Sequence, residues 1–204
     1  MRRHLTSLAV AAVVLLALWA YCDRSPELRN PKPLSRTIVC FGDSLTYGTG
    51  AGRAESYPER LKALTGREVI NAGVPGDTTA MALARLERDV LSRQPGYVLL
   101  TLGGNDLRQR VPAREVEANL RRIVTSCQAA GALVVIGGIR VPFWGSDLKA
   151  AYARVAREEG AVLIEDIYAG IWGRSELMSD EVHPNAAGYR IMAESFLTAL
   201  RPYL

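Results

Sequence analysis

The chain has 204 residues, 49% hydrophobic and 23% charged, a length and balance that suit one globular domain with a sizeable core and exclude a disordered chain. Its formal net charge is +4, of which Arg2 and Arg3 carry two, leaving +2 for the rest. So weak a positive balance, without any Lys/Arg run, argues against dedicated nucleic-acid binding.

Residues 1–22 read as an export segment. Arg2, Arg3 and His4 precede Leu8–Tyr21, a run made only of Ala, Val, Leu, Trp and Tyr. A basic end followed by a short apolar stretch is the pattern of a secretory signal. A buried core helix is the poorer reading, because the run has no polar face. Leu5 to Cys22 spans 18 residues, near the lower limit for a membrane-crossing helix, so an uncleaved anchor is the alternative form of the same expectation. Cys22 stands where a lipoprotein would carry its lipid, although Tyr21 occupies a position where such signals use a small residue. Every form exports the domain, to the periplasm or to a membrane surface facing outward.

Residues 23–35 are polar and carry Pro26, Pro31 and Pro33, the composition of an extended tether. The domain proper is expected over residues 36–204. Strand-like segments follow at Thr37–Phe41, Val69–Ala72, Tyr97–Leu102, Leu133–Gly137 and Val162–Ile164, short and nearly continuous in apolar residues. Helical patterns lie between them near Tyr57–Thr65, Ala80–Ser92, Arg114–Ala130 and Asp147–Glu159, with a last one over about Asn185–Leu200. Cys40 falls in a strand and Cys127 on an apolar helix stripe, so both are expected as buried thiols rather than as a disulfide framework. Five strands alternating with helices predict an α/β fold of three layers, αβα, around a five-stranded parallel sheet. Ligands of such a sheet bind outside the carboxyl ends of its strands.

Histidine narrows the chemistry. His4 belongs to the export segment, which leaves His183 as the single imidazole of the domain and disfavours a zinc or paired-histidine metal site. Any general acid–base work through histidine falls to His183. Asp180 precedes it by three residues, close enough to hold one ring nitrogen and leave the other as a proton acceptor; a plain loop before a helix, with Pro184 in its first turn, fits that spacing equally. Ser44 sits in Phe41-Gly42-Asp43-Ser44-Leu45-Thr46 directly after the first strand. It lies where a ligand is expected, although Asp and Ser there also suit a helix cap. The turns after the second and third strands hold Gly76 and Asn105, a close-approach glycine and a side-chain amide donor, as well as ordinary turn formers. Cap and turn preferences explain each segment singly. They do not explain a nucleophile, donors and a base with its acid converging on one sheet edge, which points to nucleophilic catalysis on an acyl carbonyl.

The segments FGDSLTYG, Gly76, GGND and DEVHP resemble the four blocks of the GDSL/SGNH hydrolases. The resemblance covers nearly all of Thr37–Leu204. It implies the flavodoxin-like SGNH fold and a triad of Ser44, His183 and Asp180. It also implies an oxyanion hole from the Ser44 and Gly76 amides and Asn105. INAGVPGDTT followed by LARL, then QPGYVLLTLGGND, is most similar to the bacterial periplasmic branch of thioesterases, lysophospholipases and arylesterases. The implied activity is hydrolysis of acyl esters or thioesters by a monomer without cofactor or metal, on a small-molecule substrate, with membrane association through the N-terminal segment. A glycan O-acetyl esterase or acyltransferase on the same residues, and a catalytically silent binder, are the alternatives. Two loops depart from the branch: Phe143-Trp144-Gly145-Ser146-Asp147 is shorter, and Leu107-Arg108-Gln109-Arg110 lacks a glycine. Acyl chain length therefore does not carry over. Phe143 and Trp144 are expected either as the floor of an acyl groove or as loop core. Arg108 and Arg110 are expected as solvated cations, with an anionic headgroup as the other reading. Asp43 and Asp106 are assigned structural work.

Overall fold

The computed structural model describes residues 27–140 and 145–204. The expected export segment over 1–22, the first residues of the expected tether, and Phe143 with Trp144 lie outside the described residues. Strands β1 (Ile38–Gly42), β2 (Val69–Gly73), β3 (Tyr97–Thr101), β4 (Leu133–Gly137) and β5 (Val162–Ile164) form one parallel sheet in the order β2-β1-β3-β4-β5. Each expected strand is present, with ends shifted by a residue at β1, β2 and β3. Helices α1 (Ser44–Tyr47), α2 (Tyr57–Thr65), α3 (Thr79–Asp89), α4 (Gly104–Arg108), α5 (Ala113–Ala129), α6 (Ser146–Glu159) and α7 (Ala186–Leu200) connect and follow them. The short α1 and α4 have no counterpart in the sequence reading, because four or five residues are too few to show a helical period. Residues expected to continue α3 form a separate 3₁₀ turn, Leu91–Arg93.

The strand order explains the layering. The chain steps outward from β1 to β2, then back past β1 to β3 and on to β4 and β5. Right-handed crossovers in opposite directions must lie on opposite faces. Val39, Phe41, Val98, Leu100, Val134 and Ile136 accordingly pack on α3, α5 and α6. Their strand neighbours Ile38, Cys40, Leu99 and Val135 pack on α2 and α7, where Tyr57 stacks on Phe196 with centroids 4.8 Å apart. Both faces being covered, the strands read as continuous apolar runs rather than alternating ones. Cys40 and Cys127 are free and buried, and burial pushes the Cys127 thiol up to about 12, the environment of an inert core thiol.

Glu27 to Arg36 is a strap beneath the amino ends of the strands. The Arg29 amide donates to the Gly160 carbonyl at 2.9 Å. The Asn30 side chain donates to the carbonyls of Gln128 (2.8 Å) and Ala132 (3.0 Å), tying the strap to the end of α5 and to the residue before β4. Ser35 lies so close to Gly96 that a Cβ there would stand 1.8 Å from the Ser35 carbonyl oxygen. The strap thus passes β5, β4 and β3 in turn before entering β1, at the pole opposite the carboxyl edge.

Candidate active site

At the carboxyl edge β1 ends in Gly42, and Asp43 caps α1 by accepting from the Leu45 amide at 3.0 Å. Ser44 is the first residue of that helix. Its amide is therefore one of the donors a helix N-terminus leaves without an intrahelical partner. The cap reading is realised by Asp43, the neighbour of Ser44. Gly42 is required by contact: a Cβ there would lie 2.3 Å from the Thr101 carbonyl oxygen and 2.2 Å from the Thr46 hydroxyl.

The segment before α7 brings His183 to this edge. His183 Nε2 lies 3.0 Å from Ser44 Oγ, and His183 Nδ1 lies 2.7 Å from Asp180 Oδ2. The other Asp180 oxygen accepts from the backbone amides of Val182 (2.8 Å) and His183 (2.7 Å). The His183 hydrogen bond, reinforced by those two amides, pulls the Asp180 carboxyl down to about 2, although its side chain is 53% exposed. The loop is held from several sides. Ser179 donates to the His183 carbonyl at 2.8 Å, Tyr168 Oη donates to the Val182 carbonyl at 2.6 Å, and Asn185 caps α7. Gly50 has a positive φ of 94°, and a Cβ there would press to 3.1 Å from that of His183. Glycine lets the turn after α1 lie flush against the histidine loop.

Gly76 and Asn105 border the same cleft as Ser44 and His183. Gly76 has φ 90° and open space where a Cβ would point, so glycine serves its backbone conformation rather than close packing. Among the described residues its amide has no hydrogen-bond acceptor. Asn105 Nδ2 donates to the Asp77 carbonyl at 2.9 Å and, at a longer 3.3 Å, to Asp43 Oδ2. Below these lies a buried polar lattice. Arg85 Nε donates to Asp77 at 2.6 Å, its other nitrogens reach the Gly42 and Ala72 carbonyls, and its guanidinium lies 4.4 Å from the centre of the Phe41 ring. Asp106 accepts from the Thr79 amide and hydroxyl. Burial pushes the Asp43 carboxyl up to about 7, against the Leu45 amide bond and the nearby His183. The structural work expected of Asp43 and Asp106 is visible here.

A family model described as the GDSL-like lipase/acylhydrolase family matches residues 40–191. The chain belongs to that family. Esterase TesA of Pseudomonas aeruginosa is 31% identical over 189 residues, 87% of this chain and 94% of that one. Thioesterase 1/protease 1/lysophospholipase L1 of Escherichia coli K12 is 29% identical over 174 residues, 81% of this chain and 84% of that one. A crystal structure of TesA matches with a TM-score of 0.77 at 28% identity, covering 82% of this chain and 99% of that one. The fold is that of the SGNH hydrolases, and the chain is a hydrolase of ester bonds.

In this GDSL hydrolase the serine opens onto a cleft of about 430 Å³. Leu107, Ile139, Tyr168, Trp172 and Val182 give it apolar walls, and Arg108 stands at its rim. Trp172 meets Tyr168 edge-on with centroids 5.0 Å apart. Arg108 is exposed and its guanidinium donates to Asn105 Oδ1 at 3.3 Å, so it is more than a solvated charge. Arg110 is exposed and does not line the cleft. Sequence reasoning did not single out Tyr168, Trp172, Asp77, Thr79 or Arg85. For Arg85 a signal existed: it falls on the same α3 stripe as the buried Ala82 and Leu86, and an arginine on an apolar stripe needs a buried partner. Tyr168 and Trp172 lie in a connection without periodicity, and nothing local marks them.

Proposed function

We propose that the protein is an exported serine esterase or thioesterase that hydrolyses acyl esters or thioesters through an acyl-enzyme on Ser44. The single observation that carries this is the line of hydrogen bonds from Ser44 Oγ through His183 to Asp180, at 3.0 and 2.7 Å. With Nδ1–H donated to Asp180, Nε2 is the acceptor that takes the Ser44 proton as Oγ bonds to the acyl carbon. The carbonyl π electrons move to oxygen. That oxyanion accepts from the Ser44 and Gly76 amides and from Asn105 Nδ2, whose long bond to Asp43 gives way. The oxyanion collapses, the bond to the leaving alcohol or thiol breaks, and His183 returns its proton to that group. Water then attacks the acyl-enzyme, losing its proton to His183, and collapse of the second oxyanion releases the acid and reprotonates Ser44. The apolar cleft suits the acyl group. Export rests on residues 1–22, with the domain over 36–204.

Hydrolysis of p-nitrophenyl esters from acetyl to palmitoyl, beside acyl-CoA thioesters, tests the reading with Ser44→Ala as the control. The expected outcome is turnover in the wild type and a loss on the order of 10⁶ in kcat in the variant. A fluorophosphonate should add one adduct to the wild type and none to the variant by intact mass. A folded wild type with neither turnover nor adduct overturns the proposal in favour of the silent binder. Acyl transfer to sugars exceeding hydrolysis redirects it to the glycan acyltransferase.

A further inference from the structure

The strap beneath the sheet has an unusual surface. Arg29, Lys32 and Arg36 are exposed along it, and Leu34 between them lies wholly in solvent. Among the described residues none forms an ion pair with these three cations. Leu64, at the end of α2, adds an exposed apolar side chain at the same pole, beside the exposed Lys62. Acids also stand at this pole: Glu27, Glu68, Glu158 and Glu159. The last two are held by Arg121, and Glu68 accepts from Thr37. Cations interleaved with a bare leucine on an extended strap suit an anionic lipid surface: the charges meet phosphates and the leucine enters the interface.

The chain leading into the strap supports the same occupant. Five residue steps separate Glu27 from Cys22, directly after the apolar run Leu8–Tyr21. A chain that short reaches at most about 18 Å, so a membrane holding the run has this pole near it. Ser44 lies eight residues along the chain from Arg36, at the far end of β1, which places the cleft about 25 Å away.

We propose that the amino-end pole, through Arg29, Lys32, Leu34 and Arg36, rests on the anionic bilayer in which residues 1–22 are held, with the cleft facing away. Under the hydrolase reading above, on which this consequence rests, substrates reach Ser44 from the aqueous phase and not from the anchoring leaflet.

The test uses the full chain in vesicles of phosphatidylcholine with phosphatidylglycerol, carrying a fluorescent amino acid at position 34 or at position 74 beside the cleft. Nitroxide-labelled lipids should quench the probe at 34 and leave that at 74 bright. Quenching at 74, at both positions or at neither overturns the proposal. The combined Arg29→Gln, Lys32→Gln, Arg36→Gln variant should lower the docked-to-free ratio at position 34 by about fivefold per charge removed. Unchanged quenching in that variant overturns the role of anionic lipid. The readout does not depend on turnover: failure of the hydrolase reading appears as lost ester hydrolysis with quenching intact.

Discussion

The two sides of Ser44 are built differently. Beneath it, Asp43, Asp77, Arg85 and Asp106 are buried in a lattice tying the ends of β1, β2 and β3 to one another. Beside it, Asp180 is half exposed and His183 sits on a loop held mainly through backbone bonds. The carboxyl groups register the contrast, burial raising Asp43 to about 7 while the His183 partnership lowers Asp180 to about 2. The buried half provides rigidity at a desolvation cost that only complete pairing offsets. The exposed half needs no such pairing, because water supports the charge of Asp180.

If that contrast holds, the largest effect belongs to the lattice. Arg85→Met should destabilise the fold by about 3–5 kcal/mol, because it strands Asp77 as an unpartnered buried carboxylate, measured as a fall in urea midpoint. Asn105→Ala, at the junction of the two halves, should cost on the order of 10²–10³ in kcat while leaving that midpoint nearly unchanged. Near-wild-type turnover would exclude Asn105 from the oxyanion hole proposed above. Asp180→Asn sharpens the comparison on the exposed side. Its loss should be about 10², short of the roughly 10⁴ seen where a triad acid is buried, and a loss as large as the buried case would contradict the contrast.

The effect of Asp43→Asn is readable through pH. A folded carboxyl raised from 3.8 to about 7 holds its proton when the unfolded chain has lost it. Stability from this group is therefore full below about pH 4 and declines as pH rises to 7. The variant should gain on the wild type across that window, in paired urea unfolding curves. Asp180 has the opposite sign: its contribution is present above 3.8 and fades as pH falls towards 2.

Much of the candidate site was legible because its members stand in short segments beside strand ends. Ser44, Gly76 and Asn105 follow β1, β2 and β3, and a parallel α/β sheet delivers such turns to one edge whatever its details. His183 was legible by scarcity, as the lone imidazole of the domain. The cleft wall was not. Phe143 and Trp144, weighed for this wall, lie outside the described residues; among those described, the aromatics that line the cleft are Tyr168 and Trp172, placed by a long connection after β5.

From sequence alone the layers, the parallel sheet, the site edge and the triad candidates were determined, because apolar period and turn chemistry are local properties written into consecutive residues. Tertiary structure decided the strand order, the burial of Arg85 beneath the serine and the opposite surroundings of Asp43 and Asp180. It also decided the docking of residues 27–36 across the amino ends of the strands. Each of these depends on groups tens of residues apart meeting in space. The free energy of such a meeting, in desolvation and pairing, belongs to the contact and to no segment of the chain.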